Sequence, residues 1–156
     1  MNKLIDFYFD FISPYSYLAH KKILNINERK NFNYKAILLG GLHNLGNITA
    51  PAFNERKMKN MREDCTLIAK KNGISFRWNE KFPINSLYLM RGYLFIDANK
   101  KDKFFDTCFD AYWKENVDIS KEETERFLEW YARLQLGNEI LECVKKYDEC
   151  SFSAEL

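Results

Sequence analysis

The sequence predicts an α/β fold in which one β-α-β unit is followed by a run of helices. Three observations carry that expectation. An apolar and aromatic run at residues 4–11 leads into a Ser-Pro step, a second apolar run at 32–39 ends at Gly40-Gly41, and beyond residue 50 the apolar residues recur at helical spacing.

Residues 4–11 place Ile5, Phe7, Phe9 and Phe11 on one parity and Leu4 and Tyr8 on the other, as in a strand buried on both faces. Asp6 and Asp10 interrupt the run, and no role for either follows from the sequence. Ser13 has the chemistry of a helix N-cap, and Pro14 suits the first helical position, where a missing N–H costs nothing. A helix is expected from Pro14 to Asn27. The stretch "FNYKAILL" at 32–39 is the second strand, reached by a right-handed crossover, with Gly40-Gly41 as its stop.

Within 54–73, Met58, Met61, Cys65, Ile68 and Ala69 fall at helical spacing, and Gly73 is the stop signal. The next helix is expected in 82–99, beginning after Pro83. In 101–116, Phe104, Phe105, Cys108, Phe109, Tyr112 and Trp113 make one broad apolar stripe. Ser120 and Glu123 have capping-box spacing ahead of Phe127, Leu128, Tyr131 and Leu134, and a last amphipathic segment runs from Glu139 to Tyr147. The expected domains are an N-terminal β-α-β half at 1–50, a helical domain at 51–136, and a terminal helix and tail at 137–156.

Composition narrows the function. With 156 residues, 46% of them hydrophobic, the chain can bury a full core. Its net charge of +2 comes from 24 basic and 22 acidic side chains spread along the sequence, so no basic face invites nucleic acid or acidic lipid. Lys100, Lys101 and Lys103 read as solvated surface. No run approaches the roughly 18 apolar residues of a membrane helix, and "MNKLIDFYFDF" lacks a small-residue cleavage site, so a cytoplasmic protein is expected. Cys65, Cys108, Cys143 and Cys150 form no C-x-x-C pair and no zinc-like spacing; buried free thiols and no metal site are expected.

The Ser13 hydroxyl is the chemical signal. Beside unpaired backbone N–H groups and the positive end of a helix dipole it can donate to a thiolate, carboxylate or phosphate, or it can serve only as a cap. Other segments bear on the choice. "DFYFDFISPYSYLA" at 6–19, "LLGGLHNLGNITAP" at 38–51, "KMKNMRED" at 57–64 and "FPINSLYLMR" at 82–91 resemble, in content and order, the 2-hydroxychromene-2-carboxylate isomerases and kappa-class glutathione transferases. The Ser-Pro-Tyr-Ser-Tyr block is the most specific of them.

The resemblance implies a thioredoxin-like fold with a large all-helical subdomain inserted after the second strand. It implies glutathione as cofactor, with Ser13 as the catalytic hydroxyl facing its sulfur, Asn47 in contact with it and Lys57 paired with one of its carboxylates. Tyr15 and Asn85 would lie beside a small unsaturated or aromatic substrate. Each residue keeps a local alternative: Asn47 as a turn residue tolerant of left-handed geometry, Lys57 as an exposed helix lysine, Asn85 as a cap, and Tyr15 and Tyr17 as packing. His20 and His43 have no evident carboxylate partner and are not assigned as bases.

For an isomerase the implied mechanism is addition of the glutathione thiolate, bond rotation and elimination; a transferase would release the conjugate instead. The family pattern continues into a Val-Pro strand with a cis-proline and a Gly-x-Asp-Arg turn, and neither occurs in this sequence, whose prolines are Pro14, Pro51 and Pro83. The C-terminal strands of the fold are therefore expected to be missing. That would leave a sheet edge and apolar surface which a second copy, in a homodimer, would cover. The alternative function is that of a truncated, non-catalytic thioredoxin-like protein stable mainly as an assembly. A dithiol oxidoreductase is disfavoured, because Ser13 and Ser16 stand where a C-x-x-C pair would be.

Overall fold

Strand β1 (Ile5–Phe9) pairs in parallel with β2 (Phe32–Ala36), Ile5 opposite Phe32 and Phe9 opposite Ala36, in a computed structural model that describes residues 4–119. Helix α1 (Pro14–Asn25) makes the crossover between them. Ser13 is its N-cap, extended at φ −85°, with Oγ accepting the Ser16 N–H at 3.2 Å and Pro14 at the first helical position. Burial of β1 departs from the two-sided pattern: Phe9 is fully buried, but Ile5 and Tyr8 are 57% and 59% exposed. Among the described residues the sheet has these two strands alone, which gives β1 little to bury a second face against.

A three-residue 3₁₀ turn, Arg29–Asn31, feeds β2, which ends at Ala36. Gly40 and Gly41 do not end a strand; they lie inside a short helix, α2 (Leu39–Leu45). Two helical glycines cost about 1 kcal/mol each against alanine, and the Leu38 side chain cannot cap. The missing acceptor comes from the residue after β1, where Asp10 Oδ2 takes the Leu39 N–H at 2.8 Å. A second 3₁₀ turn, Pro51–Phe53, leads to α3 (Glu55–Lys71), capped by Asn54 Oδ1 on the Lys57 N–H at 3.0 Å and stopped at Asn72 and Gly73, whose φ is +62°.

Helix α4 (Leu87–Phe95) is shorter than the expected segment at both ends. Asn85 Oδ1 accepts the Leu87 N–H at 3.0 Å and so delays the start, and extended backbone at Ile96 ends it. After the 3₁₀ turn Ala98–Lys100 comes α5 (Lys101–Trp113). The segments at 120–134 and 139–147, and Cys143 and Cys150, lie outside the described residues. Cys65 and Cys108 are free and buried. No described helix is long and apolar enough to cross a membrane.

One core joins the strands to the helices. Phe9 and Phe11 meet Tyr93 of α4 and Phe105 and Phe109 of α5, with ring centroids 4.5 Å apart for Phe9–Phe105, 4.9 Å for Phe9–Tyr93 and 5.1 Å for Phe11–Phe109. These pairs are edge-on, a geometry worth about 0.5–1.5 kcal/mol each beyond area burial. Next to them, fully buried His20 links three elements: Nε2 lies 2.8 Å from Asp106 Oδ1 and Nδ1 3.0 Å from the Tyr34 hydroxyl. Arg29 donates to both Asp106 oxygens, at 2.7 and 2.9 Å. Burial pushes the Asp106 carboxyl up, but the bonds from His20 and Arg29 outweigh it and hold it below its ordinary value. Asp106 is thus ionised, so Nε2 carries the imidazole proton and Nδ1 accepts from Tyr34.

Candidate functional site

The end of β1 turns sharply into α1. The Ser13 N–H donates to the Asp10 carbonyl at 2.9 Å, and Asp10 Oδ1 accepts the Ile12 N–H at 3.1 Å, so the turn is closed from both the main chain and the side chain of Asp10. This sets Ser13 at the head of α1. Its Oγ accepts from Ser16, and among the described residues its hydroxyl hydrogen has no acceptor. Pro14 has no N–H to offer, which leaves the Tyr15 amide as the first-turn donor without an acceptor in its own helix.

Half-buried Ser13 forms part of the wall of a cavity of about 640 Å³. That volume suits a small molecule. The walls are Ile12–Tyr15, the Leu38–Gly41 stretch with His43 and Asn44 of α2, the Ala50–Phe53 turn, Met61 of α3, and Phe82–Leu87 ahead of and into α4. The lining is mainly apolar. It contains no Asp, Glu, Lys or Arg, and its ionisable side chains are Tyr15 and His43. In such surroundings the dipole of α1 and the Ser13 hydroxyl act on a ligand with little screening.

The Phe82–Pro83 wall, whose peptide bond is cis, is moored by Asn79, 1% exposed. Asn79 Nδ2 donates to the carbonyls of Tyr112 and Val117 at 3.0 and 3.1 Å, and its Oδ1 accepts the Lys81 N–H at 2.9 Å. The end of α5 thereby fixes the opposite side of the cavity.

Of the residues singled out from sequence, the structure brings Ser13, Tyr15 and Asn85 to one cavity and leaves Asn47 and Lys57 outside its lining. Asn47 is exposed at φ +51°, between the lining residues Asn44 and Ala50. Lys57 is exposed on α3 one turn before Met61, which does line the cavity, and so shares a helix face with it. The Tyr15 hydroxyl donates to Asp64 Oδ2 at 2.9 Å, pinning the ring between α1 and α3; burial and then that bond push its pKa up. Asn85 lines the cavity, and its Oδ1 accepts the Leu87 N–H at the start of α4. Tyr17 belongs to the core, with its hydroxyl on the Ser75 carbonyl at 2.5 Å.

Two residues went unassigned in the sequence. His43 lines the cavity although it has no carboxylate partner there. Asp10 stands 1% exposed just behind the cavity, and its one sequence signal is a charge inside an apolar run three positions before Ser13. Among the described residues no group of His, Cys, Asp and Glu side chains could hold a metal ion.

Residues 4–130 match the DSBA-like thioredoxin domain. The chain belongs to that family. Its structure also superimposes on that of a 2-hydroxychromene-2-carboxylate isomerase with a TM-score of 0.72 and 21% sequence identity, over 94% of this chain and 76% of the other. At that identity the likeness is one of fold: a thioredoxin-like arrangement of helices around a small sheet. No curated protein matches the chain. As a DSBA-like domain it carries hydroxyls, at Ser13 and Ser16, where thiol–disulfide exchange at the head of α1 would need two thiols.

Proposed function

We propose that the cavity at the head of α1 binds glutathione, that Ser13 donates its hydroxyl hydrogen to the tripeptide's sulfur, and that the protein is a glutathione-dependent isomerase or transferase of a small unsaturated or aromatic substrate. One observation carries the reading. Ser13 Oγ accepts the Ser16 N–H, its hydroxyl hydrogen has no acceptor among the described residues, and the residue lines a cavity whose lining has no carboxylate to repel an anion.

The residues present fit a thiol ligand. A charge-assisted hydrogen bond contributes about 1.5–3 kcal/mol, and a helix N-terminus up to ~2 kcal/mol in a partly buried geometry. Each pKa unit corresponds to about 1.4 kcal/mol, so together the two would bring a thiol that titrates near 8.5 to neutrality or below. Bound glutathione would supply a nucleophilic sulfur. The chain's own contribution would be to orient it through Ser13, to hold a flat substrate against Tyr15 and Asn85, and to exclude water with Phe53, Met61 and Phe82. Asn47 and Lys57, beside the lining, would reach the tripeptide's polar ends. The isomerase fold of the structural neighbour adds support for the reaction class.

Calorimetry with reduced glutathione tests the reading, with thiolate absorbance followed on binding. Wild type should bind with a Kd below the millimolar range, and Ser13→Ala should lose at least tenfold in affinity together with the thiolate signal. Absence of binding at millimolar glutathione overturns it.

The exposed apolar residues Ile5 and Tyr8 of β1, with Leu4 just before it, favour a second reading, a non-catalytic protein that works as part of an assembly, for example a homodimer. A monomer in sedimentation that conjugates a model electrophile would remove that reading.

A further inference from the structure

We propose that Asp10 is a positioning residue for the cavity: its carboxylate ties two of the walls together, and the site holds its ligand-binding shape only while that tie is intact. The ligand named here rests on the glutathione reading above; the tie itself does not.

Asp10 is 1% exposed and is not part of the cavity lining, yet both residues whose backbone N–H groups its side chain holds are. Oδ1 accepts the Ile12 N–H at 3.1 Å, from the turn that presents Ser13. Oδ2 accepts the Leu39 N–H at 2.8 Å, from the first residue of α2. Ser86, 4% exposed at the N-cap of α4, is a third lining residue near the carboxylate and favours its charge. The main-chain carbonyl of Asp10 adds the Ser13 N–H at 2.9 Å. One residue thus joins segments that lie far apart in the sequence and close the cavity from two sides.

The donor set explains why the residue type matters. Both oxygens face backbone N–H groups, so both must accept. An asparagine offers one accepting oxygen and one NH₂ group, which would set donor against donor at either Ile12 or Leu39. A leucine would leave both donors without a partner. A buried carboxylate is costly to desolvate, and burial pushes the Asp10 carboxyl up against the bonds that favour its charge. Among the described residues none of the ion pairs includes Asp10, so the two backbone N–H bonds are what the charge is used for.

The test compares wild type, Asp10→Asn and Tyr34→Phe, the last breaking a bond to His20 outside the cavity. Affinity is measured for two probes, reduced glutathione and the aromatic dye 1-anilinonaphthalene-8-sulfonate, alongside thermal unfolding and amide exchange at Ile12 and Leu39. In Asp10→Asn both affinities should fall at least tenfold and both amides should exchange at least tenfold faster. Tyr34→Phe should leave all four values within about twofold of wild type even if it lowers the melting temperature equally.

Affinities and exchange rates unchanged in Asp10→Asn overturn the proposal, as does an equal loss in Tyr34→Phe, which would make Asp10 a contributor to general stability. A wild type that binds the dye but not glutathione sinks the glutathione reading alone, and the dye and the amides then decide the role of Asp10. Should Asp10→Asn not fold, the wild-type amides decide: both protected at least a hundredfold over free-peptide rates supports the tie, and unprotected amides reject it.

Discussion

The Trp113 indole N–H donates to the Phe11 carbonyl at 2.9 Å, so the last turn of α5 holds the backbone two residues before Ser13. Both side chains are fully buried. Trp113→Phe would leave that carbonyl without a partner and remove ring volume beside Phe76, which stacks on the indole at 5.7 Å. A loss of about 2–3 kcal/mol is expected in urea unfolding. A change below about 0.5 kcal/mol would show that the bond adds nothing net.

Gly92 lies where α4 crosses α5. A Cβ there would come within 3.0 Å of Phe104 Cζ, a ring that is itself 1% exposed and hemmed in by the core. Gly92→Ala is therefore expected to destabilise by about 1–3 kcal/mol through overpacking, despite the gain in helix propensity. Unfolding midpoints of the two proteins settle the sign, and a stabilised variant would mean that Phe104 can move.

His20 makes stability depend on pH. Burial lowers its pKa below the ordinary value of 6.5, against the opposing bond to Asp106. In the unfolded chain the imidazole takes up its proton near pH ~6.5 while the folded one still resists it. The unfolded state then binds more protons, so the contribution is complete above that pH and is lost as pH falls below it. Urea titrations across this range should show wild type weakening toward acid, and His20→Gln should flatten the slope. An unchanged slope in the variant would place the proton elsewhere.

Cys65 and Cys108 should be chemically silent. Burial, and then the charge of Asp64, push the Cys65 thiol up to about 12, and burial pushes Cys108 well above its ordinary value. Neither should be alkylated by iodoacetamide in the native protein at neutral pH, and both should be after unfolding. Peptide mapping distinguishes them from Cys143 and Cys150. Rapid native labelling of Cys65 would contradict its position beneath Tyr15.

What the sequence revealed was what neighbouring residues decide. Ser13 and Pro14 start α1 by their own chemistry, Gly73 at φ +62° stops α3, and the stripe from Phe104 to Trp113 lies buried along one helix. What it concealed depends on partners distant in the chain. Helix α2 was unreadable because its glycines look like a stop and its cap, Asp10, comes from just beyond β1. The cavity was legible only at Ser13, Tyr15 and Asn85; Phe53, Met61 and His43 reach it through packing that no local pattern encodes. Tyr15 and Tyr17 are alike in sequence, yet two positions on a helix face nearly opposite ways, and one lines the cavity while the other fills the core.

The parallel pairing of β1 with β2 also fixes an order in time. Asp6 and its partner Asn33 are 27 positions apart, and parallel neighbours cannot meet through a hairpin. On a translating ribosome no rung of this ladder can form before the second strand has emerged, whereas α1 can coil as soon as it is released. The bend before Ser13 can close through Asp10 alone, but it is moored to a sheet only by that late arrival.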